Sequence, residues 1–428
     1  MARFTALGDL LGSVLDRGTW LIGGAGVSDA ATLAGRADAL LSARGEASGV
    51  AIAAEILKGY RGLDAEGRLS FFTHLASAFD PDPDAVNAAA AAYADAQSTE
   101  ALDQLFRVAE PPRQELLRRL NMAPGGTRRL VEMRADLLGL LRDHPDLRRI
   151  DNDFRHLLGS WFNRGFLVLS PIDWNTPAAV LEKIIAYEAV HAISDWDELR
   201  RRIAPPDRRC FAFFHPSMPD EPLIFVEVAL TRDVPGSIQG LLDPARDPVA
   251  PGDARTAVFY SISNCQAGLA GVSFGAFLIK QVARDLSAAL PNIADFVTLS
   301  PVPGFRSWLS SAATDDDEAR ICAEALDAGP PEEAIKPRLL RLAATYFLDA
   351  KRADGAPPDP VARFHLGNGA ELHAIHWMGD TSPKGLAEAG GLMVNYRYRL
   401  DQIEANHEAF ATNGEVLATR AVRALMKG

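Results

Sequence analysis

The sequence predicts an all-α helical bundle over residues 1–158 followed by an α/β (α+β) domain over residues 159–428. Three observations carry that division. Up to about residue 158, apolar residues recur at helical spacing and only short polar joints interrupt them. From about Trp161 onward, short runs rich in Phe, Val, Ile and Tyr take over, with helical segments between several of them. The length of 428 residues, at 48% hydrophobic content, suffices for more than one packed core.

Taken in order, Ser28 is placed to cap a helix over Asp29–Arg44, and Gly45 to end it. The turn Asp80-Pro81-Asp82-Pro83 precedes an alanine-rich helix over Asp84–Ala96. Ser98 and Thr99 cap the next helix, and Pro111 and Pro112 open another. Leucines and Met133 at helical spacing run from Thr127 to Asp143, where His144-Pro145 stops them. Joints this short imply antiparallel neighbours in a bundle. The basic pairs Arg118-Arg119, Arg128-Arg129 and Arg148-Arg149 read as solvated helix faces rather than a binding surface.

In the second module the strand-type runs are FLVLS (166–170), CFAFFH (210–215), LIFVEVAL (223–230), AVFYSIS (257–263), FVTLS (296–300), AIHWM (374–378) and NYRYRL (395–400). Their spacing implies both hairpin-like and crossover connections. Asp354 to Pro360 is a surface loop by composition, and no internal repeat is present.

Charge and cysteine content exclude several classes. With 44 basic against 56 acidic side chains the formal net charge is -12, which argues against a nucleic-acid partner. Three cysteines (Cys210, Cys265, Cys322) without CxxC spacing suggest neither a disulfide framework nor a zinc cluster. The N-terminal run is broken by Asp9, Asp16 and Arg17 and lacks a signal-peptide core. Ala257 to Ile279 carries no ionised residue, but its glycines, serines, Asn264 and Gln266 make it a buried strand, loop and helix start rather than a membrane span. The expectation is a cytoplasmic protein with no membrane partner.

Chemistry concentrates in four places. After the strand AVFYSIS, the loop holding Gly268, Gly271 and Gly275 leads into a helix, where backbone amides could meet a phosphate. In that loop Gly271-Val-Ser273-Phe-Gly275 matches G-x-S-x-G, yet Ser273 lies too far from the strand for a nucleophile elbow. Ser300 ends the FVTL strand ahead of Pro301 and Pro303. It reads equally as a hydroxyl held outward by stiff backbone or as a capping serine in a rigid turn. His365 precedes an Asn-Gly turn and is the acid-base candidate. His373 and His376 fall on opposite faces of a strand and do not suit a shared metal. Alternation in NYRYR sends Tyr396 and Tyr398 one way, Arg397 and Arg399 the other.

The strings YSISNCQAGLAGVSFGAFLIK, LSPVPGF, ARFHLGNGAELHAIHWMGD and GLMVNYRYRL, in that order and spacing, resemble the malonyl-CoA decarboxylase family. The resemblance covers about 270 residues of the second module; the helical part carries no distinctive string. It implies an acetyltransferase-like (GNAT) fold for that module. It also implies conversion of malonyl-CoA to acetyl-CoA and CO2 without metal or organic cofactor, a place in fatty acid metabolism, and a homo-oligomer (dimer or tetramer). By the same resemblance Ser300, His365 and Tyr398 are catalytic. One position departs: the family commonly has glutamate in a GVELG string where this chain has Ser273.

The chemistry asks for donors aimed at a thioester oxygen as an enolate forms, then for a proton delivered to carbon. Ser300 would orient the malonyl carboxylate or donate to the thioester oxygen, His365 would protonate the carbanion, and Tyr398 would complete the set. Which of Ser300 and His365 does which is open in the sequence. CoA is expected on Gln266, Gly268, Gly271, Ser273 and Gly275; Lys280 and Lys384 read equally as partners of its 3′-phosphate or as solvated surface lysines. The competing readings are an acyl-CoA-dependent N-acyltransferase, a hydrolase through Ser273 and a non-catalytic acyl-CoA sensor.

Overall fold

The computed structural model describes residues 29–43, 45–272 and 275–427, with residues 275–277 described by backbone alone. Ser28 and Ser273 therefore lie outside the described residues. Contacts divide the chain into two compact units. One runs through Leu167 and takes in His215–Pro219 and Gln266–Ser273; the other holds Val168–Phe214, Asp220–Cys265 and the chain from Phe274 on.

The first unit is built from α1 (Ala30–Ser42), α2 (Glu46–Arg61), α3 (Ala65–Ala78), α4 (Pro83–Ala96), α5 (Thr99–Ala109), α6 (Pro112–Asn121), α7 (Gly126–Leu140) and α8 (Arg148–Trp161). Short acidic or hydroxyl side chains begin several of them, because a helix start leaves amides without partners. Asp29 accepts from the Thr32 amide, Asp64 from Gly67 and Ser98 from Ala101. Gly45 corrects the sequence reading: it lies at φ -93° as the N-cap of α2, not as a left-handed end to α1. The end of α1 is closed instead by Arg119, whose Nη1 donates to the Leu40, Leu41 and Ala43 carbonyls. The other basic pairs face carboxylates, with Arg128 and Arg129 on Glu132 and Arg149 on Asp80. They are ion-paired helix surface, as their spacing suggested.

Leu33, Ile56, Phe71, Phe72, Leu116, Leu130, Phe154 and Leu158 are buried in this unit. Two charged pairs are buried with them: Arg134 on Asp151 at 2.8 Å, and Arg113 on Asp153. The Arg134 guanidinium also donates to the Gly268 carbonyl at 2.7 Å. Gly268 is held close: a Cβ there would lie 1.8 Å from the Val131 carbonyl oxygen.

The second unit is a mixed sheet in the order β1-β2-β3-β4-β5-β8-β6, with β7 on β8. Strands β1 (Val168–Ile172), β2 (Arg208–Phe214), β3 (Ile224–Thr231) and β4 (Thr256–Asn264) pair antiparallel in sequence order. Helices α9 (Ala178–Tyr187) and α10 (Trp196–Ile203) join β1 to β2, and the short α11 (Ile238–Leu242) follows β3. Parallel pairing of β4 with β5 (Asp295–Thr298) needs a crossover, and α12 (Gly275–Ala289) lies within it. Next come β6 (Ser300–Pro301), α13 (Phe305–Ala312), α14 (Asp317–Ala328), α15 (Lys336–Leu348), α16 (Pro360–Gly367) and β7 (Glu371–His376). The chain closes with α17 (Pro383–Ala389), β8 (Met393–Arg397), α18 (Ile403–Asn413) and α19 (Arg420–Ala424).

Each strand-type run of the sequence therefore falls on a strand, and the sheet is the α/β architecture expected. The uncharged stretch from Ala257 to Ile279 is a buried strand, a short 3-10 turn and the start of α12. No described helix is long and apolar enough to cross a membrane. The segment ending at Pro360 is less exposed than its composition suggests. Asp359 is 1% exposed because it caps α16, accepting from the Ala362 amide at 2.8 Å.

The contact at Gly268 makes a testable statement. Gly268→Ala must displace the Val131 backbone, so thermal unfolding should show a loss of about 1–3 kcal/mol, the usual range for overpacking. A variant as stable as the parent would contradict this packing.

Candidate active site

The site begins with two strands that stop pairing. Parallel pairing of β4 and β5 runs from Thr256 opposite Asp295 to Phe259 opposite Thr298. The Leu299 amide then donates to the Phe259 carbonyl at 3.0 Å. Beyond that point β4 continues to Asn264, while Ser300-Pro301 turns onto Val394 and Met393 of β8. A bulge sharpens the divergence: Glu227 pairs with Ser261 and Val228 with Phe259, leaving Tyr260 as the extra residue.

A cavity of about 250 Å³ lies at this parting, lined by Phe259, Tyr260, Ile262 and Asn264 of β4 and by Ser300 and Pro301. Val361, Phe364 and His365 of α16 close it. Among the described residues no Lys, Arg, Asp or Glu lines it. The walls are apolar, and the hydrogen-bonding groups are few.

Two of them, Ser300 and His365, form a chain with Tyr398, which lies outside the lining. Ser300 Oγ lies 3.3 Å from His365 Nε2, and His365 Nδ1 lies 2.7 Å from the Tyr398 hydroxyl. All three are at most 5% exposed. Pro301 holds Ser300 in extended backbone, Asp359 with Pro360 starts the helix whose last turn carries His365, and Tyr398 follows β8 directly. Tyr396, pointing the same way as Tyr398, stacks on the imidazole with centroids 4.6 Å apart and planes at 24°.

Proton positions follow from counting partners. The Tyr398 hydroxyl touches no other polar partner among the described residues, so its proton is used only if it donates to Nδ1. The imidazole proton then sits on Nε2, facing Ser300. Ser300 in turn donates to Thr298 Oγ1 at 2.8 Å. Burial pushes the His365 pKa down to about 3, so the ring is neutral at ordinary pH. Burial also raises the Tyr398 phenol well above its usual range.

Model matches cover most of the chain. Residues 165–428 match the family model described as "Malonyl-CoA decarboxylase C-terminal domain", and residues 79–162 match the corresponding N-terminal domain. The chain belongs to the malonyl-CoA decarboxylase family. The mitochondrial malonyl-CoA decarboxylase of Anser anser anser is 37% identical over 415 residues, covering 86% of this chain and 82% of that protein. The mouse protein of the same name is 35% identical, covering 76% and 73%. Among solved structures, malonyl-CoA decarboxylase from Rhodopseudomonas palustris superposes with a TM-score of 0.88 at 55% identity, covering 93% of this chain and 100% of that one. The Agrobacterium vitis enzyme gives 0.87 at 53%, covering 92% and 99%.

Of the residues singled out from sequence, the structure brings Ser300, His365 and Tyr398 into one chain. Gln266, Gly268 and Gly271 belong to the helical unit, Gly275 opens α12, and Ser273 lies outside the described residues. Lys280 meets Glu404 at 3.2 Å, and Lys384 donates to the Ala189 carbonyl at 2.9 Å. His376 hydrogen-bonds Asn395. No described cluster of three or more His, Cys, Asp or Glu could hold a metal.

Thr298, Tyr396 and Asn395 were not anticipated as part of the site. Thr298 Oγ1 accepts from Ser300 and from the Tyr396 amide at 3.1 Å. Asn395 donates to the Thr298 carbonyl at 2.6 Å, locking the strand that carries Ser300. The period of two did carry a signal, because Thr298 and Ser300 share one face, as do Tyr396 and Tyr398.

The neutral histidine sets a pH dependence with a definite sign. Unfolded, it takes a proton below about 6.5; folded, only near 3. Its contribution to stability is present above pH 6.5 and is lost as the pH falls from there toward 3. Denaturant midpoints between pH 7 and 5 should therefore fall more steeply in the parent than in His365→Gln. Equal slopes would contradict a neutral buried ring.

Proposed function

We propose that the Ser300–His365–Tyr398 chain, at the end of an uncharged cavity, carries the decarboxylation of malonyl-CoA to acetyl-CoA and CO2. The chain is a carboxy-lyase of the malonyl-CoA decarboxylase family, and this cluster is where we place its chemistry. The observation that supports the reading most is the hydrogen-bonded series from Tyr398 through His365 to Ser300, facing a cavity without a charged wall.

Such a cavity suits loss of CO2. A malonyl carboxylate bound there has no counter-ion to hold its charge in place, so charge can move into the thioester as the carbon–carbon bond breaks. The forming enolate oxygen then needs donors already in position. The His365 Nε2 proton is one, and the Ser300 hydroxyl is a second once it turns from Thr298 Oγ1. Transfer of the Nε2 proton to carbon, with the Tyr398 proton moving onto Nδ1, leaves the ring neutral and the negative charge on the phenol. A thioester enolate is a much stronger base than a phenolate, so this direction is downhill; solvent restores the phenol once product leaves. No acyl–sulfur bond breaks, and no covalent acyl-serine is needed.

For the CoA moiety, Gln266, Gly268, Gly271, Ser273 and Gly275 remain our proposed seat. Gly268 already has a structural reason in the Val131 contact. A homo-oligomer and a cytoplasmic location belong to the same proposal, and light scattering of the purified protein checks the first.

The direct test follows acetyl-CoA, CO2 and free thiol together after malonyl-CoA is added. Equal acetyl-CoA and CO2 without thiol is expected. Ser300→Ala and His365→Ala should each lower kcat by about 10²–10⁴-fold, the range for a lost donor or acid-base group. Tyr398→Phe should also lower kcat, because it removes the proton that Nδ1 takes up as Nε2 releases its own. Near-parental turnover in folded Ser300→Ala and His365→Ala would overturn the assignment, and thiol release would point to acyl transfer.

A further inference from the structure

A second cavity in the α/β unit, about 330 Å³, shares no lining residue with the first. Four guanidiniums line it: Arg201, Arg202, Arg208 and Arg246. They come from α10, from the start of β2 and from the loop after α11.

Three of the four are accounted for. Arg202 spans Glu198 at 2.8 Å and Glu227 at 3.0 Å. Arg246 grips Asp207 through two bonds, at 2.5 and 3.0 Å. Arg201 is exposed to water. Arg208 differs. It is 3% exposed, yet its Nε and Nη1 are buried without a hydrogen-bond partner. Its Nη2 donates to the Leu241 carbonyl at 2.5 Å, and its charge lies 5.7 Å from the centre of the Tyr260 ring. Among the described residues no carboxylate reaches within 4.0 Å of it, the distance that defines every ion pair named above.

A guanidinium in this position is costly unless an anion offsets its lost hydration. The nearby carboxylates are occupied. Asp207 serves Arg246, Glu198 serves Arg202 and Ser194, and Asp243 accepts from the Ala245 amide. Glu227 serves Arg202 at 3.0 Å, so among the described residues Arg208 has no carboxylate of its own. An oxyanion supplies both missing things, negative charge and several acceptor atoms, and arginine is the side chain best matched to it.

We infer that this cavity is an anion site that seats a phosphate group against Arg208, with Arg201 and Arg246 completing the positive wall. The volume accommodates orthophosphate or the phosphate of a larger molecule, including the substrate's own CoA. The inference does not depend on how Ser300 and His365 work. Tyr260 connects the two cavities: its ring lies beside Arg208, and the residue also lines the reaction cavity.

The test titrates inorganic phosphate into the protein in a phosphate-free zwitterionic buffer at fixed ionic strength, read by calorimetry and thermal unfolding. Saturable binding with a rise in Tm is expected for the parent. Arg201→Ala should weaken it at least threefold, and Arg208→Met should abolish it while leaving the phosphate-free protein no less stable. If Arg208→Met does not fold, the exposed Arg201→Ala carries the comparison. Absent or non-saturable effects, or equal ones in parent and variants, would overturn the inference and leave water as the partner of Arg208. Two further arms separate the sources. A phosphate effect that leaves KM for malonyl-CoA unchanged supports a site for free anion. Competition with malonyl-CoA, with dephospho-CoA binding more weakly than CoA in the parent but not in Arg201→Ala, supports the substrate's own phosphate.

Discussion

The parting of β4 from its parallel neighbour after Phe259 is the constraint on which the site depends. Backbone amides and carbonyls that leave a ladder must find other partners. Here the strand carrying Ser300 finds them on β8, through Val394 and Met393. That choice opens the sheet and at the same time carries Ser300 toward the end of α16. The Tyr260 bulge adds twist at the same level, so the divergence is built into both strands. Without it Ser300 would lie in a continuous ladder and the cavity would be filled by sheet.

The second constraint is electrostatic. The reaction cavity is uncharged, and the imidazole within it is kept neutral by burial. Buried charge lies elsewhere in the molecule: Arg202 pairs with Glu227, Arg113 with Asp153 and Arg134 with Asp151, while among the described residues Arg208 has no carboxylate within ion-pair distance. A fixed cation beside a malonyl carboxylate would stabilise the ground state more than a transition state whose charge has moved away, and so would slow the reaction it appears to assist. Neutral donors avoid this, since they strengthen only as the enolate oxygen gains charge.

Much of the fold was legible because strand and helix periods survive without tertiary information. The runs at 223–230 and 257–263 became β3 and β4, and Pro112 and Ser98 began helices as their types suggest. Gly45 misled because a glycine between two helices serves either end, and only its φ decides. Gly268 was read as room for a ligand, and its missing Cβ also makes room for the Val131 carbonyl, a demand the sequence did not show. Both cases turn on what lies opposite a residue, which local sequence does not encode.

At the site the division is similar. Ser300 before Pro301, His365 near a helix end and the alternation of Tyr396 and Tyr398 are properties of the sequence itself, because they follow from backbone restriction and strand period. It determined the residue types, their local conformations and, through long matching strings, the family. The tertiary structure alone decided that a serine, a histidine and a tyrosine 98 positions apart at their extremes form one hydrogen-bonded series. It also decided that the series is dry enough to keep the histidine neutral, and that Thr298 and Asn395 hold it in place. The physical reason is that desolvation and hydrogen-bond direction belong to the space between elements, and that space exists only once the strands have parted.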